Sequence, residues 1–217
     1  MSSALKLVLM AAAPVPATYI GNTAVNPATD PLAIGFGSGA QNDLAIITVC
    51  QSSGTVPTIT GGSGTWNSTS VTQSGEKTWL LWKRLVTADL SGVTVGNFSG
   101  TGGECIVTTT VYRGVYGVLV AGSAGSTTGT NTVTGFTPNA RSVGVVSIFA
   151  MDNNEGVPAN TEPSGFALRY KGTGSNPGPT GLYSMGVADK LSGYAGANIA
   201  WTCQVNPNRQ IVLELIG

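Results

Sequence analysis

Histidine is absent from this chain of 217 residues, which removes the commonest general base and the commonest metal ligand. A Ser-His-Asp relay is excluded with it. Charge is also scarce. Charged side chains are 9% of the residues, and ten basic and ten acidic groups cancel to zero, where a globular domain usually carries about a quarter. Lys77, Lys83 and Arg84 are close in sequence and nothing joins them. Nucleic-acid binding needs clustered cations to neutralise phosphates, so it is not expected. The three cysteines, Cys50, Cys105 and Cys203, are odd in number and fit no metal-ligand spacing. Each lies in an apolar or Thr-rich run and reads as a small buried hydrophobe, with one disulfide left open. No stretch approaches the roughly 18 apolar residues of a membrane span. No window of helical length repeats at 3.6, and the 31 glycines would weaken any helix interior.

What is present is short apolar segments that end in Gly, Asn, Pro or Ser, the punctuation of an all-β chain. Strands are expected at Leu5–Met10, Leu32–Phe36, Leu44–Cys50, Thr78–Val86, Val93–Phe98 and Glu104–Tyr112. The second half offers Thr132–Phe136, Val143–Ala150, Phe166–Tyr170, Leu182–Lys190, Asn198–Gln204 and Gln210–Ile216. Leu44–Cys50 and Val143–Ala150 are nearly continuous apolar runs, which predicts central strands covered on both faces. In Glu104–Tyr112 alternation puts Cys105, Val107 and Val111 on one face and Ile106 and Tyr112 on the other. In the last strand Ile211, Leu213 and Leu215 share a face and Glu214 points away. Thr87–Ser91 and Ala188–Ser192 read as short turns.

The second half repeats the pattern of the first. Gly35-Phe36 recurs as Gly135-Phe136, Ala40 as Ala140, Trp66 as Phe166 and Ala88-Asp89 as Ala188-Asp189, all at one spacing (135 − 35 = 189 − 89 = 100). A period this long suggests two similar halves rather than a solenoid. The Gly/Ser/Thr-rich stretch Gly122–Asn131 between them reads as a flexible linker, or as a hairpin or crossover within one sandwich. The expected architecture is one jelly-roll-like β-sandwich over residues 18–217. Its halves, about 18–117 and 118–217, would be related by a pseudo-two-fold. Residues 1–17 resemble a weak secretory signal, but the apolar run Leu7–Ala13 is short and one Lys precedes it. They are read as an arm or strand, not a cleaved signal.

Few residues suggest chemistry. The ten carboxylates are scattered, mostly at turns or strand ends. They read as solvated turn residues rather than the facing pair a glycosidase needs. Gly61-Gly62-Ser63-Gly64 lacks the Lys-Ser/Thr ending of a phosphate loop and reads as a turn. Met151-Asp152-Asn153-Asn154-Glu155-Gly156 is rich in oxygen donors without the spacing of a calcium loop, so an Asx-type turn is expected. No catalytic residue, metal or cofactor is therefore predicted. Of the four tryptophans, Trp79 and Trp82 point to opposite faces of a strand. Trp66, in the turn-rich stretch Gly62–Ser70, is the best candidate for an exposed glycan contact.

The order of features carries a resemblance. A turn and strand, Gln41-Asn42-Asp43-Leu44-Ala45-Ile46-Ile47, is followed by Ser63-Gly64-Thr65-Trp66, then by Trp82-Lys83-Arg84 with Thr87-Ala88-Asp89, then by Val111-Tyr112-Arg113-Gly114-Val115. The second half continues with Pro163-Ser164-Gly165-Phe166, Val187-Ala188-Asp189-Lys190 and the closing strand Ile211–Ile216. From about Tyr19 onward the chain resembles the small β-sandwich structural proteins of tailed bacteriophages and related prophages. The resemblance implies a non-enzymatic virion component, a capsid accessory or decoration protein docked through β surfaces and its N-terminal arm. A receptor- or glycan-binding module of a tail or fibre is the alternative. The implied partners are major capsid or tail proteins and further copies of the chain, with neither nucleic acid nor membrane. The scarcity of charge agrees with a surface buried in an assembly. A Ser/Thr/Asn-rich surface hydrated in solution is the other reading of it.

Overall fold

The computed structural model describes residues 14–25, 30–51, 55–98, 105–153, 160–173 and 182–217. The expected strand Leu5–Met10, most of the N-terminal arm and residues 154–156 of the turn expected at 151–156 lie outside these residues; Met151–Asn153 are not a turn but the end of a strand, paired on both sides at Met151. The chain is all-β, and every strand pairing is antiparallel.

One five-stranded sheet contains β1 (Thr18–Val25), β3 (Leu44–Gln51), β5 (Asn67–Gln73), β6 (Glu76–Arg84) and β8 (Cys105–Arg113), in the order β1-β8-β3-β6-β5. The other contains β9 (Gly117–Ser126), β11 (Ser142–Asn153), β12 (Ala167–Thr173), β13 (Leu182–Lys190) and β15 (Asn208–Ile216), in the order β9-β15-β11-β13-β12. Each sheet is thus traced by its half of the chain along the same path. A small sheet of β2 (Leu32–Ile34), β7 (Val93–Gly96) and β4 (Thr58–Thr60) accompanies the first. A pair, β10 (Thr130–Val133) and β14 (Ile199–Thr202), accompanies the second.

The two large sheets face each other. Leu44, Ile46, Leu80 and Tyr112 pack against Val146, Ile148, Val187, Ile211, Leu213 and Leu215. Burial of this apolar surface is the main stabilising term. On the far side of the first sheet, Ala45, Ile47, Val49, Leu81 and Val107 are covered by Ile34, Val93 and Val95. On the far side of the second, Val145 and Val212 lie under Val133 and Ile199, and Phe149 lies under Trp201. The result is four layers, with both large sheets covered on each face. That is why β3 is buried at all eight residues and why its sequence does not alternate. In β8 the alternation does sort the side chains as expected, Cys105, Val107 and Val111 outward and Tyr112 inward.

Several expectations need correction. Gly122–Asn131 is not a linker, because residues up to Ser126 complete β9, which pairs along β15, and β10 starts at Thr130. Ala188–Ser192 is not a turn up to Lys190, because β13 runs through Lys190. Its supposed counterpart is a 3-10 turn at Thr87–Asp89 beyond the end of β6. The register explains the mismatch: Ala45 pairs with Lys83 and Val145 with Lys190. Lys83 therefore corresponds to Lys190, and the Ala88-Asp89 marker does not map onto Ala188-Asp189. Strands β1, β4, β5 and β9 were not expected, being polar, short or glycine-rich.

Candidate functional site

Trp66 sits just before β5, after the turn Gly61–Gly64. Gly64 adopts φ +76°, a left-handed conformation that a side chain disfavours. The indole is half-buried rather than open: it stacks on Phe36 at 6.0 Å between centroids, and Lys83 Nζ stands 5.9 Å from its ring. The turn is tied down by Asp89, which is fully buried. The Asp89 carboxylate accepts from the Val86 N–H at 2.8 Å, the Ser63 N–H at 3.1 Å and Lys83 Nζ at 2.9 Å. Burial pushes this carboxyl up, but the Val86 amide, the Lys83 ammonium and the Ser63 amide outweigh it and hold it below its ordinary value. The outcome is a rigid rim of indole, ammonium and glycine-rich backbone, suited to stacking and hydrogen bonding.

The second half builds a matching corner. Phe136 and Phe166 occupy the places of Phe36 and Trp66, Gly165 again has φ +76°, and Lys190 stands beside Gly165 as Lys83 stands beside Gly64. Here Tyr194 fills the space, 4.9 Å from Phe136 and 6.5 Å from Phe166, and its hydroxyl donates to the Ala197 carbonyl at 2.7 Å. One corner is closed by an ion pair and the other by aromatic packing. A groove of about 320 Å³ beside the second corner is lined by Pro14, Pro16, Pro138, Val143, Leu191 and Tyr194 among others. The chain enters there, with the Ala17 N–H donating to the Val143 carbonyl at 3.0 Å.

The other tryptophans are structural. Trp79 is buried against the outer face of the first sheet, with Lys77 Nζ 4.1 Å from its ring. Trp82 packs on the opposite face, towards the second sheet, as the spacing requires. Trp201 is fully buried, stacks on Phe149 at 5.2 Å and donates from Nε1 to Ser147 Oγ at 2.8 Å. All three cysteines are free. Burial pushes the Cys50 and Cys105 thiols up, and that of Cys203 to about 11, so they stay protonated at neutral pH.

Four of the ten carboxylates are not the solvated turn residues expected: they are largely buried, and burial away from water demands a partner, so each is engaged with its own cation. Asp43 holds Arg113, Asp89 holds Lys83, Asp189 holds Arg169 and Glu76 holds Arg209. One of these ion pairs, Glu76 with Arg209, joins the large sheets, and a second, within the second sheet, reaches the first through the Tyr19 ring. Arg169 forks onto Asp189 at 2.8 and 2.9 Å and lies 4.5 Å from the Tyr19 ring. Arg209 of β15, fully buried, reaches across to Glu76, to Thr78 Oγ1 at 3.2 Å and to Cys50 Sγ at 3.4 Å. Arg209 falls outside the expected strand Gln210–Ile216, because β15 begins two residues earlier, at Asn208. Its parity with Ile211, Leu213 and Leu215 was the available signal. Among the described residues no three His, Cys, Asp or Glu side chains are placed to hold a metal ion. No helix among them is long and apolar enough to cross a membrane.

The sheet edges are the remaining feature. Three of the four edge strands, β1 (TYIGNTAV), β5 (NSTSVTQ) and β9 (GVLVAGSAGS), carry no charge, while β12 has Arg169 and Lys171. At the start of β9, Tyr116, Leu119 and Val120 are 65%, 48% and 45% exposed. Arg84 lies 4.9 Å over the Tyr116 ring. Comparison of the chain with family models, curated proteins and solved structures finds no match.

Proposed function

We propose that the protein is a non-enzymatic structural subunit of a bacteriophage particle, an accessory or decoration protein docked on the capsid through its β surfaces. The observation that carries this reading is the state of the sheet edges. A protein that lives alone in solution protects its edges with charge, proline or cover, because unpaired N–H and C=O groups recruit other strands. Here β9 is ten residues long, uncharged and partly apolar, and two other edges are uncharged too. Such edges suit a chain held in an ordered assembly. The scarcity of charge, 9% of the residues, supports the same reading. The phage context comes from the sequence resemblance.

Immunogold electron microscopy on intact virions, with antibody to this chain, tests it. Label spread over the head is expected. Particles without label whose mass spectra also lack the chain refute it. A second reading, a receptor- or glycan-binding module at the tail, is favoured by the Trp66 rim with Lys83 beside it. Label confined to the tail end, together with glycan binding lost in Trp66→Ala, would establish that reading in its place.

A further inference from the structure

We infer that the start of β9 is a self-association seam, at which a second copy of this chain adds its own β9 antiparallel and joins two five-stranded sheets into one of ten strands. The inference rests on the edge-docking reading above and names the partner.

The four edges are not equivalent. β12 carries two cations, which discourage pairing. β1 is offset between Tyr19 and Gly21, as β9 is at Ala121, but its Tyr19 and Ile20 are partly buried against the cores. β5 is short and polar. At the far end of β9, Asn131 Nδ2 donates to the Ala124 carbonyl, so that end is partly engaged from β10. The stretch Gly117–Ala121 remains, with its side chains Val118, Leu119 and Val120 apolar and two of them about half exposed.

The choice of a second copy follows from charge and symmetry. An isologous two-fold contact sets a surface against itself, so any charge near the axis meets its own sign. This stretch has none; Arg84 lies over Tyr116 at its end, three residues from the axis (119 − 116), and Glu214, beside Leu119 on β15, is only 4% exposed. Glu214 accepts from the Asn139 N–H at 2.7 Å, and Arg209 is buried between the sheets. A two-fold near Leu119 places Val118 opposite Val120 of the partner and Leu119 opposite Leu119. Apolar and β-branched cross-strand pairs of this kind are favourable, and the new ladder satisfies the free backbone groups on both edges.

The geometry dictates the test. Wild type, Leu119→Lys and Leu119→Glu are compared by sedimentation velocity across a range of micromolar concentrations, with circular dichroism to check folding. Leu119 is exposed, so both variants should remain folded. The wild type is expected to show a monomer–dimer equilibrium. Each variant alone should be shifted at least tenfold towards monomer, and an equimolar mixture of the two should recover dimer. A wild type that stays monomeric throughout, or variants that associate as it does, overturns the inference. A dimer that both variants abolish and the mixture fails to restore also overturns it, since the contact would then not be self-matched at Leu119. Loss of the seam with the protein still found in virions would refute only this inference. Presence of the seam with the protein absent from virions would refute only the function proposed above.

Discussion

Replacing Asp89 with Ala should lower the stability of the fold by about 3–5 kcal/mol, as expected when one member of a buried hydrogen-bonded pair is removed. The carboxylate is fully buried and satisfies three donors. Its loss orphans the amides of Ser63 and Val86 and leaves the Lys83 ammonium, whose side chain is 10% exposed, without its partner. Asp89→Asn keeps one acceptor oxygen but turns an amide NH2 towards donors, so about 2 kcal/mol is expected. Lys83→Met leaves the two backbone bonds in place and should cost less than Asp89→Ala. Denaturant unfolding followed by tryptophan fluorescence reads these as shifts in midpoint at constant slope. For a chain of this size the Ala variant should melt roughly 10 °C lower. The pH dependence has a definite sign. The folded-state carboxyl lies below its ordinary value of 3.8, so its contribution is fully present above that value. It is lost as pH falls through the lowered folded value. Asp89→Asn should lack that part of the acid loss. An Ala variant within about 1 kcal/mol of wild type would refute the reasoning, because the orphaned amides would then have found water without moving the turn.

Arg209→Met should cost about 3 kcal/mol by stranding Glu76 between the sheets, and the double variant with Glu76→Gln should recover more than half of it; equilibrium unfolding of the three variants checks this. Trp201→Ala should destabilise by about 3–5 kcal/mol, against about 1–2 kcal/mol for the half-buried Trp66→Ala; thermal melts should rank them in that order. Gly135→Ala should severely disturb the fold, because a Cβ there overlaps the backbone carbonyl of Gly196, whereas Gly35→Ala meets nothing within 4 Å; soluble yield and melting temperature separate the two.

Much of the architecture could be read from period and punctuation. The runs at Leu44 and Val143 are almost continuously apolar, interrupted by Thr48 and Ser147, and both are central strands. The last strand alternated, and its odd positions entered the shared core. What escaped were strands whose residues signal something else. Four of the last five residues of β9, Gly122–Ser126, are glycine or serine, so composition points to a linker, while pairing with β15 makes them strand. The repeat was readable at Phe36 and Phe136 and at Trp66 and Phe166, where aromatic side chains fill equivalent corners. It misleads at Asp89 and Asp189, because the connection from β12 to β13 is longer than the turn from β5 to β6 and moves the register. For the site, Trp66 was located correctly near a turn. Its stacking on Phe36 depended on a contact across 30 residues of sequence (66 − 36), which no local pattern contains.

The two corners should answer differently to conditions. The first is held by a buried charge on hydrogen-bond donors, an arrangement undone by protons. The second is held by Phe136, Phe166 and Tyr194, where apolar contact dominates and weakens on cooling. Acid should therefore loosen the Trp66 end of the molecule first, and cold the Tyr194 end. A chain that duplicated its strand order carries, in its two copies, two separate sensitivities to its surroundings.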